Sequence, residues 1–160
     1  MDGVLTEYYQ AIATFATNNG LLESGGDWYN LTPEIELAAI GAVPTTFFQN
    51  LAKRAEADAL IDLVIAKNGS YEVLSTTTST NMTNQKNAWI SANLTGARAP
   101  AANNYATNFN KGPYGGANKL LIDDRLTYVN QFEAAGGKGF KYFESGGIRR
   151  FGGREASVGP

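Results

Sequence analysis

Histidine and cysteine are both absent from the 160 residues. Without histidine there can be no Ser-His-Asp triad, no imidazole base and no imidazole metal ligand. Without cysteine, thiol catalysis, disulfides and thiolate metal sites are excluded as well. Acid–base or metal chemistry must therefore rest on carboxylates, hydroxyls and lysine, and oxygen-only ligands point to a hard cation such as Mg²⁺. An excess of positive charge is also lacking: 13 Lys and Arg stand against 15 Asp and Glu, a net charge of −2 with a pI near 5.1. A nucleic-acid-wrapping surface needs dense basic residues to displace counterions, so no nucleic-acid partner is expected. A small phosphorylated substrate remains open, because one lysine can neutralise one phosphate. No apolar run approaches the roughly 20 residues needed to span a bilayer. Met1-Asp2-Gly3 opens the sequence without the basic-then-apolar pattern of a secretory leader. The expectation is a soluble, cytoplasmic protein without a membrane partner.

What is present suffices for one compact domain with a core: 43% of residues are hydrophobic. Apolar residues at Leu5, Tyr8, Tyr9, Ile12 and Phe15 recur at helical spacing and predict a helix over 4–18. Thr32-Pro33-Glu34 reads as a helix start, with Thr32 as N-cap, and Gly41 as the stop. Residues 54–67 form the strongest helical pattern, with Ala57, Leu60, Ile61, Val64 and Ile65 on one face. Residues 71–76 predict a strand, 77–84 a polar loop, and 85–94 a helix carrying Trp89 and Ile90. Residues 97–117 read as loop apart from a weak strand over 105–109. Lys119-Leu120-Leu121-Ile122 predicts a buried strand ending at Asp123-Asp124. A helix over 125–135 and a strand over 139–143 follow, then a Gly- and Arg-rich tail.

Helices alternating with short apolar strands predict an α/β fold with a mostly parallel, Rossmann-like sheet. Polar residues follow two strands directly, Thr76-Thr77 after one and Asp123-Asp124 after another. In open parallel sheets, ligands bind outside the carboxyl ends of the strands, so these two clusters nominate one crevice.

Four segments in this order resemble the haloacid dehalogenase (HAD) superfamily, most closely its small 5′-nucleotidase-like branch, which often appears in phage genomes. The residues carrying the resemblance are Asp2-Gly3-Val4-Leu5-Thr6, Val73-Leu74-Ser75-Thr76, Asn110-Lys111-Gly112-Pro113 and Leu121-Ile122-Asp123-Asp124-Arg125. It covers roughly residues 1–143. By resemblance, Asp2 would be the general acid/base, with its backbone carbonyl on Mg²⁺. Thr76 would bond a phosphate oxygen, Lys111 would neutralise the phosphate, and Asp123 and Asp124 would hold the metal. The implied activity is Mg²⁺-dependent hydrolysis of a phosphomonoester such as a (deoxy)nucleoside monophosphate. The implied organisation is a core of residues 1–19 and 68–143, a small helical cap over 20–67, and a flexible tail over 144–160. Thr77, and Trp28, Phe47 and Phe48 in the cap, would face the substrate.

One departure from the family pattern bears on activity. The family's nucleophilic Asp lies two residues ahead of the Asp-Gly pair, a position before Met1, and the first central strand leading into it is absent too. The resemblance thus implies a truncated reading frame and a chain that, as written, does not turn over through a phosphoenzyme. A non-catalytic nucleotide- or phosphate-binding module is the competing expectation. Plainer readings stand beside these. Asp2-Gly3 suits a terminal turn, and Ser75 to Thr78 suits a helix N-cap. Asp123-Asp124 suits the positive end of the following helix. Phe47 and Phe48 suit core packing. Lys119 rivals Lys111, and Arg149, Arg150 and Arg154 suit a solvated tail.

Overall fold

A computed structural model describes residues 1–23, 30–142, 149–150 and 156–157. Among the described residues five α-helices run in chain order: α1 (Tyr8–Asn18), α2 (Pro33–Ala42), α3 (Ala57–Asn68), α4 (Thr80–Asn93) and α5 (Leu126–Ala134). After α3 come the strands β1 (Val73–Thr76) and β2 (Asn103–Ala106), either side of α4, then β3 (Leu120–Asp123) and β4 (Lys138–Lys141), either side of α5. β1 pairs in parallel with β2, and β3 in parallel with β4. Each pair is joined through a helix, α4 in the first and α5 in the second, as parallel pairing requires. The chain is therefore mixed α/β with parallel strands, divided into two two-stranded sheets where the sequence suggests one. In the C-terminal stretch, β5 (Arg149–Arg150) pairs antiparallel with β6 (Ala156–Ser157). Arg154 lies outside the described residues.

Element boundaries depart from the sequence reading in three places, each for a local reason. The first helix begins at Tyr8, because residues 2–6 are spent on a turn: Leu5 N donates to Met1 O at 2.8 Å and Gly3 N to Thr6 O at 3.2 Å. Glu7 N then donates across to Ala52 O at 2.9 Å. The fourth helix begins at Thr80, inside the expected polar loop, because the Ser79 hydroxyl accepts from Met82 N. Ser79, rather than Ser75 to Thr78, is its cap. The strand expected over 105–109 lies earlier, at Asn103–Ala106, in register with Val73–Thr76. Thr32 caps α2 as expected, its hydroxyl accepting from Ile35 N at 3.2 Å, with Pro33 at the first helical position.

The main apolar cluster joins α1, the helices of residues 30–67, β1 and α4, through residues such as Ile12, Leu31, Ala57, Val73 and Trp89. Trp89 is fully buried, and its indole N–H donates to Leu51 O at 2.7 Å. That bond satisfies the one polar atom such burial would otherwise strand. A smaller cluster of Leu121, Tyr128 and Phe132 packs α5 against β3. The face of residues 54–67 is less buried than its spacing suggests: Ala57 and Ile61 are enclosed, while Leu60, Val64 and Ile65 are half-buried. The carboxyl ends of β1 and β3, Thr76 and Asp123, open onto the same side, where the cleft described next lies.

Candidate functional site

A cleft of about 270 Å³ is bounded by the first turn, α1, α2, the ends of β1 and β3, α4 and α5. Asp2, Thr76, Lys111, Asp123 and Asp124, drawn from four separate sequence segments, all line it. The first turn sets one wall. Gly3 takes a φ of +71°, and a Cβ there would fall 2.5 Å from Tyr9 Cε2 and 2.7 Å from Asp124 Oδ2. A residue without a side chain is what lets residues 2–6 press against the acid couple.

Two buried lysines reach into the cleft from opposite sides. Lys111 is 3% exposed; its Nζ donates to Asp123 Oδ2 at 2.5 Å and to Leu74 O at 3.3 Å, and lies 4.4 Å from the centre of the Tyr128 ring. It thereby links β1 to β3. The alternative, Lys119, is solvent-exposed and its side chain bonds Tyr114 O in its own loop, so of these two only Lys111 lines the cleft. Lys86 is 1% exposed, and its Nζ donates to Asp2 Oδ2 at 2.7 Å, Ser75 Oγ at 2.9 Å and Thr76 O at 2.6 Å. All three ammonium protons are thus placed. Burial pulls the Lys86 pKa down, partly opposed by Asp2; burial would raise Asp2, but the Lys86 ammonium outweighs it and holds that carboxyl low.

Reading the sequence alone misses Lys86, although a signal is there. It sits on α4 in one stripe with Met82, Gln85, Trp89 and Ile90, all buried. A lysine on the inward face of a helix is enclosed only when paired. Arg125, which the sequence offers only as part of the resembling segment, also lines the cleft. Its Nη2 donates to Glu36 Oε1 at 2.5 Å and its Nε to the Tyr9 hydroxyl at 3.0 Å.

The hydroxyl loop divides sharply. Thr76 lines the cleft, and its buried Oγ1 has no hydrogen-bond partner among the described residues. Thr77 does not line it. Thr77 is 1% exposed, its Oγ1 accepts from Thr83 Oγ1 at 2.9 Å, and its N–H donates to Ala106 O. Its hydroxyl is engaged within the protein, away from the cleft lining where the resemblance would have it face a substrate. The aromatics divide similarly. Phe48 lines the cleft while stacking on Tyr8 at 6.1 Å. Phe47 turns away to pack edge-on against Phe15, so it is a packing residue. Trp28 lies outside the described residues.

Comparison with family models, with curated proteins and with solved structures finds no match to this chain. The site is therefore read from its own chemistry.

Around the cleft, four carboxylates (Asp2, Glu36, Asp123, Asp124) face three cationic side chains (Lys86, Lys111, Arg125), one negative charge in excess. Adding a phosphate dianion would deepen that excess in a partly dry site, where charge repulsion is strong. A divalent cation entering with it would restore the balance. Among the described residues no three carboxylates come together as a metal cage. Mg²⁺, however, is usually held by one or two carboxylates plus water and phosphate oxygens. Asp2, Asp123 and Asp124 are the residues that could hold a hard cation bound together with an oxyanion, and each already has a partner: Asp2 bonds Lys86, Asp123 bonds Lys111 and the Arg125 N–H, and Asp124 bonds Tyr9.

Proposed function

We propose that this chain forms the site of a Mg²⁺-dependent phosphomonoester hydrolase of HAD type, acting on a small phosphorylated substrate. The observation that carries the reading is the hydroxyl of Thr76, a residue that lines the cleft: the oxygen is buried and has no hydrogen-bond partner among the described residues. Buried hydroxyls are nearly always bonded, so a ligand oxygen is the natural partner. Lys111 would draw a phosphate in beside Asp123, and Thr76 would bond one of its oxygens. Asp2, bonded to Lys86, would be the acid–base group at the leaving oxygen. A bound Mg²⁺ would offset charge on the phosphoryl group.

The cleft also has apolar lining that suits the organic half of such an ester: Leu37 and Ile40 of α2, Phe48, Met82 and Phe109. Phe109 stands half-exposed with a φ of +56°, unusual for a bulky residue. Such a lining supports a substrate with a planar apolar group, of which a (deoxy)nucleoside monophosphate is the simplest.

A second reading has its own support. A phosphoenzyme needs a carboxylate nucleophile, and every carboxylate of the cleft is already engaged. Asp2 is held by Lys86, Asp123 by Lys111, Glu36 by Arg125 and Tyr8, and Asp124 by Tyr9. Hydrolysis through a phosphoenzyme therefore requires a carboxylate beyond these four, and without one the chain is a metal-dependent phosphate-binding module. Phosphate release from nucleoside monophosphates with and without Mg²⁺, measured beside calorimetry of Mg²⁺ and inorganic phosphate, separates the readings. Release that needs Mg²⁺ supports the hydrolase, and cooperative binding without release supports the module. Neither binding nor release overturns both.

A further inference from the structure

Lining the cleft is a buried polar chain whose members, Asp124 apart, the proposed chemistry does not use. Tyr9 of α1, 5% exposed, donates its hydroxyl proton to Asp124 Oδ2. The Tyr9 oxygen in turn accepts from Arg125 Nε at 3.0 Å, and Arg125 Nη2 reaches Glu36 of α2 at 2.5 Å. Tyr8 donates to the same Glu36 oxygen at 2.9 Å. Directions here are fixed by chemistry. Arginine has only donors, so the tyrosine oxygen must accept from it, and its single proton is sent to Asp124.

Such a chain is expensive to bury, and apolar side chains of the same volume would commonly serve stability as well. It also joins elements far apart in sequence, Tyr9 to Asp124 across 115 residues and Glu36 to Arg125 across 89. One end is a carboxylate that would hold the cation. The other is the helix that supplies Leu37 and Ile40 to the apolar lining.

We infer that Tyr9 is a positioning residue that holds the Asp124 carboxylate in its cation-binding orientation, and that the Glu36–Arg125 pair ties the setting of α2 to it. A ligand seated against α2 then meets an acid already aimed, and a shift of α2 is passed to Asp124 through Arg125 and Tyr9. This rests on the phosphate-and-cation reading above. It adds that outer partners of the acid, contributed by α1 and α2, set the affinity for the metal. Outer-shell partners of metal-binding carboxylates typically change metal affinity by about 10–100-fold when removed.

The test is calorimetry on the full chain, with Mg²⁺ titrated in the presence of inorganic phosphate and inorganic phosphate titrated alone. Tyr9→Phe keeps the buried ring and removes only the hydroxyl. It is expected to weaken Mg²⁺ binding about tenfold or more, with phosphate-only affinity unchanged within about twofold. Tyr8→Phe, a neighbouring ring whose hydroxyl bonds Glu36 and not Asp124, is expected to weaken Mg²⁺ less than Tyr9→Phe does. Glu36→Gln is expected to weaken Mg²⁺ while leaving phosphate-only binding in place; it carries the test should Tyr9→Phe fail to fold. Equal losses of Mg²⁺ and phosphate binding in these variants would mean a merely structural role and overturn the inference. Wild-type Mg²⁺ affinity in Tyr9→Phe would overturn it while the proposed function stood. A wild-type chain that binds neither probe would overturn the proposed function and this inference together.

Discussion

Lys86 Nζ stands 2.7 Å from Asp2 Oδ2, an ion pair between residues 84 apart that closes the floor of the cleft. The lysine side chain is 1% exposed and the aspartate 20%. Removing one member of a buried pair leaves an uncompensated charge, a loss of about 3–5 kcal/mol. Lys86→Met is expected near the lower end, about 3 kcal/mol, because Asp2 retains some contact with water. Asp2→Asn combined with Lys86→Met should cost less than the two single changes added together, since the stranded charge is gone. Urea unfolding of the three variants measures this. Strict additivity would show that the pair is not coupled.

Thr76→Val is expected to do the reverse. Its hydroxyl has no partner among the described residues, so replacing it with a methyl of similar shape leaves folding stability within about 0.5 kcal/mol. If the hydroxyl serves a ligand, phosphate affinity should fall by roughly 1 kcal/mol, about fivefold. Chemical denaturation and phosphate calorimetry on one preparation check both halves. A variant that loses stability and keeps affinity would contradict the role given to Thr76.

Much of this arrangement is legible in the sequence, and the reasons are local. Thr32-Pro33 fixes a helix start whatever the rest of the chain does, and Leu121 to Asp124 reads as a strand running into acid because both signals lie within four residues. Polar residues after β1 and β3 nominate the cleft because parallel strands bring their carboxyl ends together. Partnership is not legible. Thr76 and Thr77 are identical in sequence terms, and only strand alternation puts one residue on the cleft and turns the other's hydroxyl toward Thr83. Lys86 depends on the inward face of α4, which period alone does not fix in a helix rich in Asn and Thr. The division of the strands into two sheets rests on long-range pairing, to which no short pattern corresponds.

Gly3 and Gly20 share nearly the same backbone conformation, φ +71° and +72°, in opposite surroundings. A methyl group placed on Gly20 would meet nothing within 4 Å, whereas one on Gly3 would run into the Tyr9 ring and the Asp124 carboxylate. Gly20→Ala is therefore expected to lose only the left-handed conformational penalty, about 1 kcal/mol. Gly3→Ala adds a steric conflict and should lose about 2–4 kcal/mol. Melting curves of the pair isolate the crowding term. Equal losses would show that the first turn can move away from the acid couple at no cost.

Acid sensitivity should appear at Glu56, on the far side of the first turn. Glu56 Oε1 accepts from Arg54 Nη2 at 2.7 Å, Arg54 Nε at 3.0 Å and the Tyr142 hydroxyl at 2.9 Å. Burial acts to raise its pKa, but the bonds from Arg54 and Tyr142 outweigh it, so the folded carboxyl lies below its ordinary 4.5. The unfolded chain therefore takes up this proton first as the solution is acidified. The stability from Glu56 is complete above pH 4.5 and is lost as the pH falls from there through the lower, folded value. With 40% of the side chain exposed, solvent screening limits the contribution to about 0.5 kcal/mol. Glu56→Gln keeps the shape and removes the titration. The difference in urea midpoint between wild type and this variant should accordingly be present near pH ~6 and shrink toward pH ~3. A difference that stays constant across that range would mean that Glu56 binds its proton equally in both states, and that Arg54 is held instead by Glu7, 3.1 Å from its Nη1.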